Sequence, residues 1–398
     1  MMAGNQRMTA LAERIAAEIA ERGPIPFARF MGLALYHPTL GYYSRGAGIG
    51  RDFHTSPELH PLFGALLARQ ALDCWIQLGR PAAFDLIELG GGNGGLAASL
   101  IPELRHLAPE AAAALRYRIV ETSRTLRARQ RARLAGLGVR WGGLPRGIDG
   151  VVLANEFFDA LPVHLVTMRD GRLRERYVGL VEGALQLVEG PPSTPRLTAY
   201  FRRVGITLPE GYQAEVNLAA TRMIRRIGRA LRRGWVITID YGAPAVVRYA
   251  ADHATGTLTC YHGGTFNYEP LARVGEQDLT AHIDFTALSR WGGEVGLQPF
   301  GLITQREFLR NLGLEASLHA LGARPVDLAT WEWNREAITQ LAAPGGLGRF
   351  LVLGQAKGGA PVSLIGFTGE ARERLVRERD RLRVPLLGGG YSEPGASE

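Results

Sequence analysis

An α/β protein built on a doubly wound, mostly parallel sheet is the architecture this sequence predicts, and three observations predict it. Short apolar runs of strand character, Phe84–Leu89, Tyr117–Glu121, Gly150–Asn155 and Trp235–Asp240, alternate with helical segments. A cluster of glycines, Gly90 to Gly92 with Gly94 and Gly95, lies directly between the first of these strands and a small-residue helix beginning at Leu96. The 398 residues are 46% hydrophobic and 21% charged, enough to bury a core, and their number suits one large, elaborated domain.

In chain order, residues 8–22 predict a helix, because Leu11, Ile15 and Ile19 recur four apart and Gly23-Pro24 stops the run. From Pro26 to Pro61, Gly and Pro punctuate the chain, and the aromatic groups Tyr36 and Tyr42-Tyr43 stand among few periodic signals. Residues 62–79 read as a helix with Leu66, Leu67, Leu72 and Trp75 toward the core. After the first strand and its glycine turn, Tyr117–Glu121 leads into an arginine-rich helix from Ser123. Val139–Trp141 is a short third strand and Gly150–Asn155 a fourth, and a helix over about 215–232 precedes Trp235–Asp240. Phe300–Thr304 and Phe350–Gln355 predict an antiparallel pair at the sheet edge.

Two stretches break the alternation. Residues 163–188 contain a hairpin around Asp170-Gly171, and 243–283 is rich in Gly, Thr and Tyr without a clear assignment. The expected organisation is a helical or lid region over 1–80 packing on a core over 81–357, with insertions at about 163–190 and 243–283. Residues 369–382 predict a charged helix and Leu386–Glu398 a disordered tail, within a segment 358–398.

Composition narrows the function classes. No apolar run reaches the ~18–20 residues of a membrane-spanning helix, so no membrane insertion is expected. Cys74 and Cys260, the two cysteines, supply neither a disulfide framework nor a four-cysteine zinc site. The N-terminus has no apolar signal core and carries Glu13, Glu18 and Glu21, which predicts a cytoplasmic protein. The net charge of +8 comes from basic residues of which all but Lys357 are arginine. Runs such as Arg124–Arg133 read as solvated helix faces, and without aromatic interleaving they predict no nucleic-acid partner. No cluster has metal-ligand spacing, so no metal is expected.

The segment from Glu88 to Gly95 carries the chemistry. Gly90, Gly92 and Gly95 satisfy the dinucleotide pattern G-x-G-x-x-G, which leaves an NAD-dependent dehydrogenase open. Glu88, Gly90, Gly92 and Gly94 equally satisfy an acidic-x-G-x-G-x-G pattern, which resembles the first motif of S-adenosylmethionine methyltransferases. A carboxylate before the turn sits badly beside a pyrophosphate, since both are anionic, and suits the ammonium and sulfonium charges of S-adenosylmethionine. Glu121 ends the second strand, where a carboxylate can accept hydrogen bonds from ribose hydroxyls.

Further runs extend the likeness. Pro26–Met31, Leu35–Pro38, Leu40–Tyr43, Asp52–Glu58 with Phe63-Gly64, Ala154–Pro162, Ile239–Gly242 and Asp278–Thr286 together resemble the MidA-like methyltransferase family. Thr304-Gln305 and Phe308-Leu309 complete the series. The resemblance implies a class I, Rossmann-like methyltransferase sheet with family-specific N-terminal and internal insertions. It also implies S-adenosyl-L-methionine as cofactor and a protein arginine as acceptor, for example in a respiratory complex I subunit. A non-catalytic, cofactor-binding assembly factor is the remaining alternative.

Methyl transfer is an in-line displacement, so the enzyme's work is positioning and electrostatics. An arginine acceptor is protonated and its lone pair delocalised, and paired carboxylates can grip it bidentately. Glu156 and Asp159, after the fourth strand, are the expected guanidinium-binding pair, with helix capping by Asn155 as the structural alternative. Asn155 is also a candidate cofactor contact. Thr55 and Ser56, in a segment where methyltransferases often place a lid, are further cofactor candidates, and Ser56-Pro57 also reads as a helix start. Asp240 is a weaker acceptor candidate, with Tyr241 as a channel wall, and His282 is kept out of the catalytic set.

Overall fold

The computed structural model describes residues 8–46, 48, 52, 55–369 and 384–387. Its centre is a seven-stranded sheet: β1 (Phe84–Leu89), β2 (Leu115–Val120), β3 (Arg140–Trp141), β4 (Ile148–Asn155), β5 (Leu231–Asp240), β6 (Gln298–Thr304) and β7 (Leu351–Lys357), counting this sheet alone. The spatial order is β6-β7-β5-β4-β1-β2-β3. Strands β5, β4, β1, β2 and β3 run parallel, and β7 and β6 add antiparallel at one edge. The expected doubly wound sheet and its antiparallel edge pair are therefore both present. Chain direction across the sheet reverses between β1 and β4, which makes the carboxyl ends of those two strands the place where a parallel α/β sheet opens a crevice.

Alternation along the strands feeds two cores. In β4, Val151 and Leu153 join one, while Val152 and Ala154 join the other. The first lies beneath the helices Leu62–Gln77 and Gly95–Leu107. The second lies beneath Arg196–Val204, Leu218–Ala230 and Phe285–Gly293. The central strands β1, β4 and β5 are covered on both faces, which explains the near-continuous apolar runs that marked them in sequence.

A third core joins the N-terminus to the insertions. Helices Ala10–Arg22 and Phe27–Tyr36 pack through Ile15, Phe30 and Met31 with Leu165, Val178, Cys260 and Leu279. Phe27–Tyr36 lies where the sequence showed few periodic signals, yet Phe27, Phe30, Met31, Ala34 and Leu35 form one buried helical face. The expected hairpin at Asp170-Gly171 forms between His164–Arg169 and Arg172–Val181, with positive φ at both turn residues. It is not isolated: Ile25–Pro26, Ala184–Gly190 and Gln213–Val216 extend it to an antiparallel sheet. The unassigned stretch 243–283 contains a small sheet of Thr259–His262 flanked by Thr265–Asn267 and Asp278–Thr280. Helices Leu314–Gly322 and Leu328–Leu341, unmarked in the sequence reading, precede β7. Apart from a few residues, the charged helix and tail expected over 369–398 fall outside the described residues.

Candidate active site

A cavity of about 660 Å³ opens at the carboxyl ends of β1, β2, β4 and β5, at the point where the sheet reverses. That volume lies in the ~300–1,000 Å³ range of small-molecule sites. One half is walled by the glycine turn and the other by acidic and tyrosine side chains.

In the first half, Glu88 is buried near the end of β1, and Tyr117 on β2 donates its hydroxyl to Glu88 Oε2 at 2.7 Å. Burial pushes the Glu88 carboxyl up to about 7, opposed by the Tyr117 bond and reinforced by the charges of Glu121 and Glu58. The chain then turns through Gly90 at φ +64° and Gly92 at φ +50°. A Cβ on Gly90 would meet Phe157 Cδ2 at 2.9 Å, so side chains are excluded there by space as well as by backbone. Glu121 stands one residue beyond β2, lines the cavity and accepts the Ser123 N–H at 2.8 Å; burial raises its carboxyl too. Val120, Leu126 and Leu144 give this end an apolar lining. Thr55 also faces the cavity.

Two expected cofactor residues stand off the wall. Gly94 is the N-cap of helix Gly95–Leu107 at φ +86° and serves the turn itself. Ser56 is wholly buried, with its hydroxyl on the Gln305 side-chain amide at 3.2 Å. The helix start also differs from the expected one, since Thr55 rather than Ser56 is the N-cap of Ser56–Leu59. The contribution of Ser56 to the site is its backbone N–H, which donates to Glu156 Oε1 at 3.1 Å.

In the second half, Asn155 ends β4 and Glu156 follows in the left-handed region at φ +46°. No helix follows, so the capping alternative for Asn155 does not apply; its Nδ2 instead donates to Glu156 Oε1 at 3.1 Å. A strained, non-glycine backbone at a cavity wall is held only because its surroundings fix it, here by the Glu156 N–H donating to Ile239 on β5 at 2.8 Å. The Glu156 carboxyl opens to the cavity but is walled by protein, and burial together with the Asp159 charge pushes it up to about 8. Asp159 is buried, and Tyr241 donates its hydroxyl to Asp159 Oδ2 at 2.6 Å. Among the described residues, Asp159 Oδ1 and Asn155 Oδ1 are buried acceptors with no hydrogen-bond partner.

Asp240 does not reach the cavity. It is wholly buried and accepts the N–H groups of Phe158, Asp159 and Tyr241, so its work is to shape the loop after β4. Tyr241 is a wall, as expected. Asp278, Tyr36 and Tyr43 also line this half and were not singled out as site residues in the sequence. Their signal was present, because all three sit in the runs that carried the family resemblance. Among the described residues, no group of His, Cys, Asp and Glu is arranged to hold a metal ion.

The residues of the first half fit an S-adenosylmethionine-type ligand: a carboxylate beside the turn, a second carboxylate one strand over, and an apolar end beyond it. Comparison with known proteins gives the same assignment. Residues 66–303 match the family model described as S-adenosyl-L-methionine-dependent methyltransferase. The chain is 31% identical to the mitochondrial protein arginine methyltransferase NDUFAF7 of Bos taurus, over 80% of this chain and 77% of that one. It is 30% identical to the Drosophila melanogaster homologue, over 86% and 84%. A Burkholderia thailandensis crystal structure bound to S-adenosyl-homocysteine superposes with a TM-score of 0.81 at 34% identity, covering 90% of this chain and 94% of that one. The expected cytoplasmic location is corrected by these comparisons, because the curated relatives are named as mitochondrial proteins. Among the described residues no helix is long and apolar enough to cross a membrane. The glycine turn, its two strand-end carboxylates and the family match converge: the chain belongs to the S-adenosyl-L-methionine-dependent methyltransferases, and S-adenosyl-L-methionine is its cofactor.

Proposed function

We propose that this methyltransferase modifies arginine in a protein acceptor, and that a respiratory complex I subunit or its bacterial equivalent is such an acceptor. The observation that carries the reading is the second half of the cavity, where Asp159 presents a buried oxygen without a partner and Glu156 lies close enough for the Asp159 charge to act on it. A planar cation with several N–H donors satisfies such oxygens bidentately, which a single ammonium does not. The names of the curated relatives support arginine as the acceptor, and the family resemblance of the sequence supports complex I.

When bound, S-adenosylmethionine supplies an electrophilic methyl group on a sulfonium. The residues of the chain then have separable roles. Glu88 faces the cationic end of the donor, and Glu121 accepts from its ribose. Asn155 stands between the halves with its free Oδ1. Glu156 and Asp159 hold the guanidinium and draw its positive charge away from the attacking nitrogen, so that the lone pair is aimed at the methyl carbon. The tyrosine walls and Phe157 exclude water from that contact.

The test is isothermal titration with S-adenosylmethionine, S-adenosylhomocysteine and NAD against the wild type and Gly92→Val. It is followed by incubation with methyl-labelled donor and isolated complex I subunits, and by amino-acid analysis of the labelled protein. Donor binding lost in the variant and label recovered as methylarginine are the expected results. Label in lysine overturns the acceptor assignment, and donor binding without label in any subunit favours the assembly-factor alternative.

A further inference from the structure

The acceptor half contains a carboxylate that the reading above does not use. Asp278 opens the strand Asp278–Thr280, whose end is tied to the loop after β4 by the Ala281 N–H donating to the Asp159 carbonyl at 3.1 Å, and is 1% exposed. Tyr43 donates its hydroxyl to Asp278 Oδ1 at 2.8 Å, and the Leu279 N–H donates to the same oxygen at 3.0 Å. Both bonds fall on Oδ1 and fix the orientation of the carboxyl group. Asp159 and Asp278 both line the one cavity, and burial together with the Asp159 charge pushes the Asp278 carboxyl up to about 7. Two buried carboxylates in one small space repel when ionised, and a cation placed between them relieves that repulsion.

The walls of that space are aromatic. Tyr36 and Tyr43 stack with ring centroids 5.5 Å apart and an interplanar angle of 25°. The hydroxyl of Tyr36 donates to the Ala160 carbonyl at 2.9 Å, which ties this pair to the loop that carries Asp159. Tyr241 and Tyr261 line the same half. Aromatic faces attract a flat cation, and tyrosine rings are rigid enough to set the width of a slot.

We propose that Asp278 is the second acidic jaw of the acceptor site: the substrate guanidinium lies between Asp159 and Asp278, with the Tyr36–Tyr43 stack as its wall. The inference rests on the arginine reading above and adds to it a binding residue and a source of selectivity. Asp159 and Asp278 grip the group from two sides, and Glu156 stands at the donor end of the same group. A lysine ammonium presents its three donors from a single nitrogen and lacks the planar, paired donors that make bidentate bonds to a carboxylate.

The probe is N-acetyl-arginine methylamide, titrated into the full chain saturated with S-adenosylhomocysteine. N-acetyl-citrulline methylamide, which is neutral, and N-acetyl-lysine methylamide are the controls. The wild type is expected to bind the arginine probe at least tenfold more tightly than either control. Asp278→Asn is expected to weaken the arginine probe at least tenfold while S-adenosylhomocysteine affinity changes less than twofold, and Asp278→Glu to recover part of the loss. Tyr43→Phe, which keeps the ring and frees the carboxyl, is expected to fall between wild type and Asp278→Asn, and supplies the same readout should Asp278→Asn fail to fold. Unchanged arginine binding in Asp278→Asn, or in Tyr43→Phe where only that variant folds, overturns the role of Asp278 and leaves the arginine reading standing. A wild type that binds all three probes alike, or none, overturns both.

Discussion

Asp240 holds Asp159 through the main chain: its Oδ2 accepts the Asp159 N–H at 3.3 Å and the Phe158 N–H at 3.1 Å, while Oδ1 accepts the Tyr241 N–H at 2.9 Å. Tyr241 in turn donates its hydroxyl to Asp159. The strand end and the loop after β4 are thus closed into one polar unit, with Asp240 buried beneath it and Asp159 facing the cavity. Asp240→Ala removes three acceptor contacts at once. With each unsatisfied buried N–H costing about 1–3 kcal/mol, the variant should lose about 3 kcal/mol or more of stability. Scanning calorimetry checks the loss, and a melting curve that matches the wild type would show that Asp240 does not hold the loop.

Glu156→Gln keeps the shape of the side chain and removes its charge. Methyl transfer should fall by about a hundredfold or more in kcat/KM, on the scale of one lost charge-stabilising group. S-adenosylhomocysteine affinity should stay within twofold, read by titration. Full activity in the variant would remove Glu156 from the guanidinium grip.

Burial holds the cavity acids above their ordinary range: Glu88 is pushed up to about 7, Glu156 to about 8 and Asp278 to about 7, and Glu121 and Asp159 are raised as well. The folded chain therefore keeps protons that the unfolded chain has released. Stability should fall as pH rises from about 4, the onset of unfolded-state ionisation, through about 8, and denaturant midpoints across that window check the sign. A cationic ligand favours the ionised forms, so S-adenosylmethionine should bind more tightly at pH 8 than at pH 6 and expel protons as it binds. Titration in buffers of different ionisation heat counts those protons. If Glu88→Gln shows the same proton release as the wild type, Glu88 is not the group that meets the donor.

The buried ion pair between Arg248 and Glu215 lies outside the cavity and offers a control. Glu215 also accepts the N–H groups of Thr257 and Leu258 at 2.9 and 3.1 Å, and pins the segment that leads to the small sheet. Glu215→Leu leaves the guanidinium buried without its counter-charge and should cost about 3–5 kcal/mol. Donor affinity of the remaining folded protein should be unchanged, and a matching loss of affinity would mean that this pair reaches the site.

The sheet and the glycine turn were legible because their signals are local. Phe84–Leu89 matches β1 residue for residue, and Glu88, Gly90, Gly92 and Glu121 lie on the wall where the turn pattern placed them. The failures are non-local or masked by composition. In Phe27–Tyr36 the apolar Leu33 and the ring of Tyr36 lie off the buried face and blur its period. The environment of the Ser56 hydroxyl is set by Gln305, a partner 249 positions away. Asp278 acquires its meaning from Tyr43 across 235 positions, which no window of sequence can show.

The cavity is thus written into the chain at two very different ranges. Its glycine-turn side comes from segments between Thr55 and Leu144, while the opposite side draws on Tyr36, Glu156, Asp159 and Asp278. During synthesis the first side is complete in sequence long before the second, which waits for the strand Asp278–Thr280 to leave the ribosome and pair with Thr259–His262. A chain halted between these points would hold the glycine-turn wall with no acidic, tyrosine-lined wall to face it.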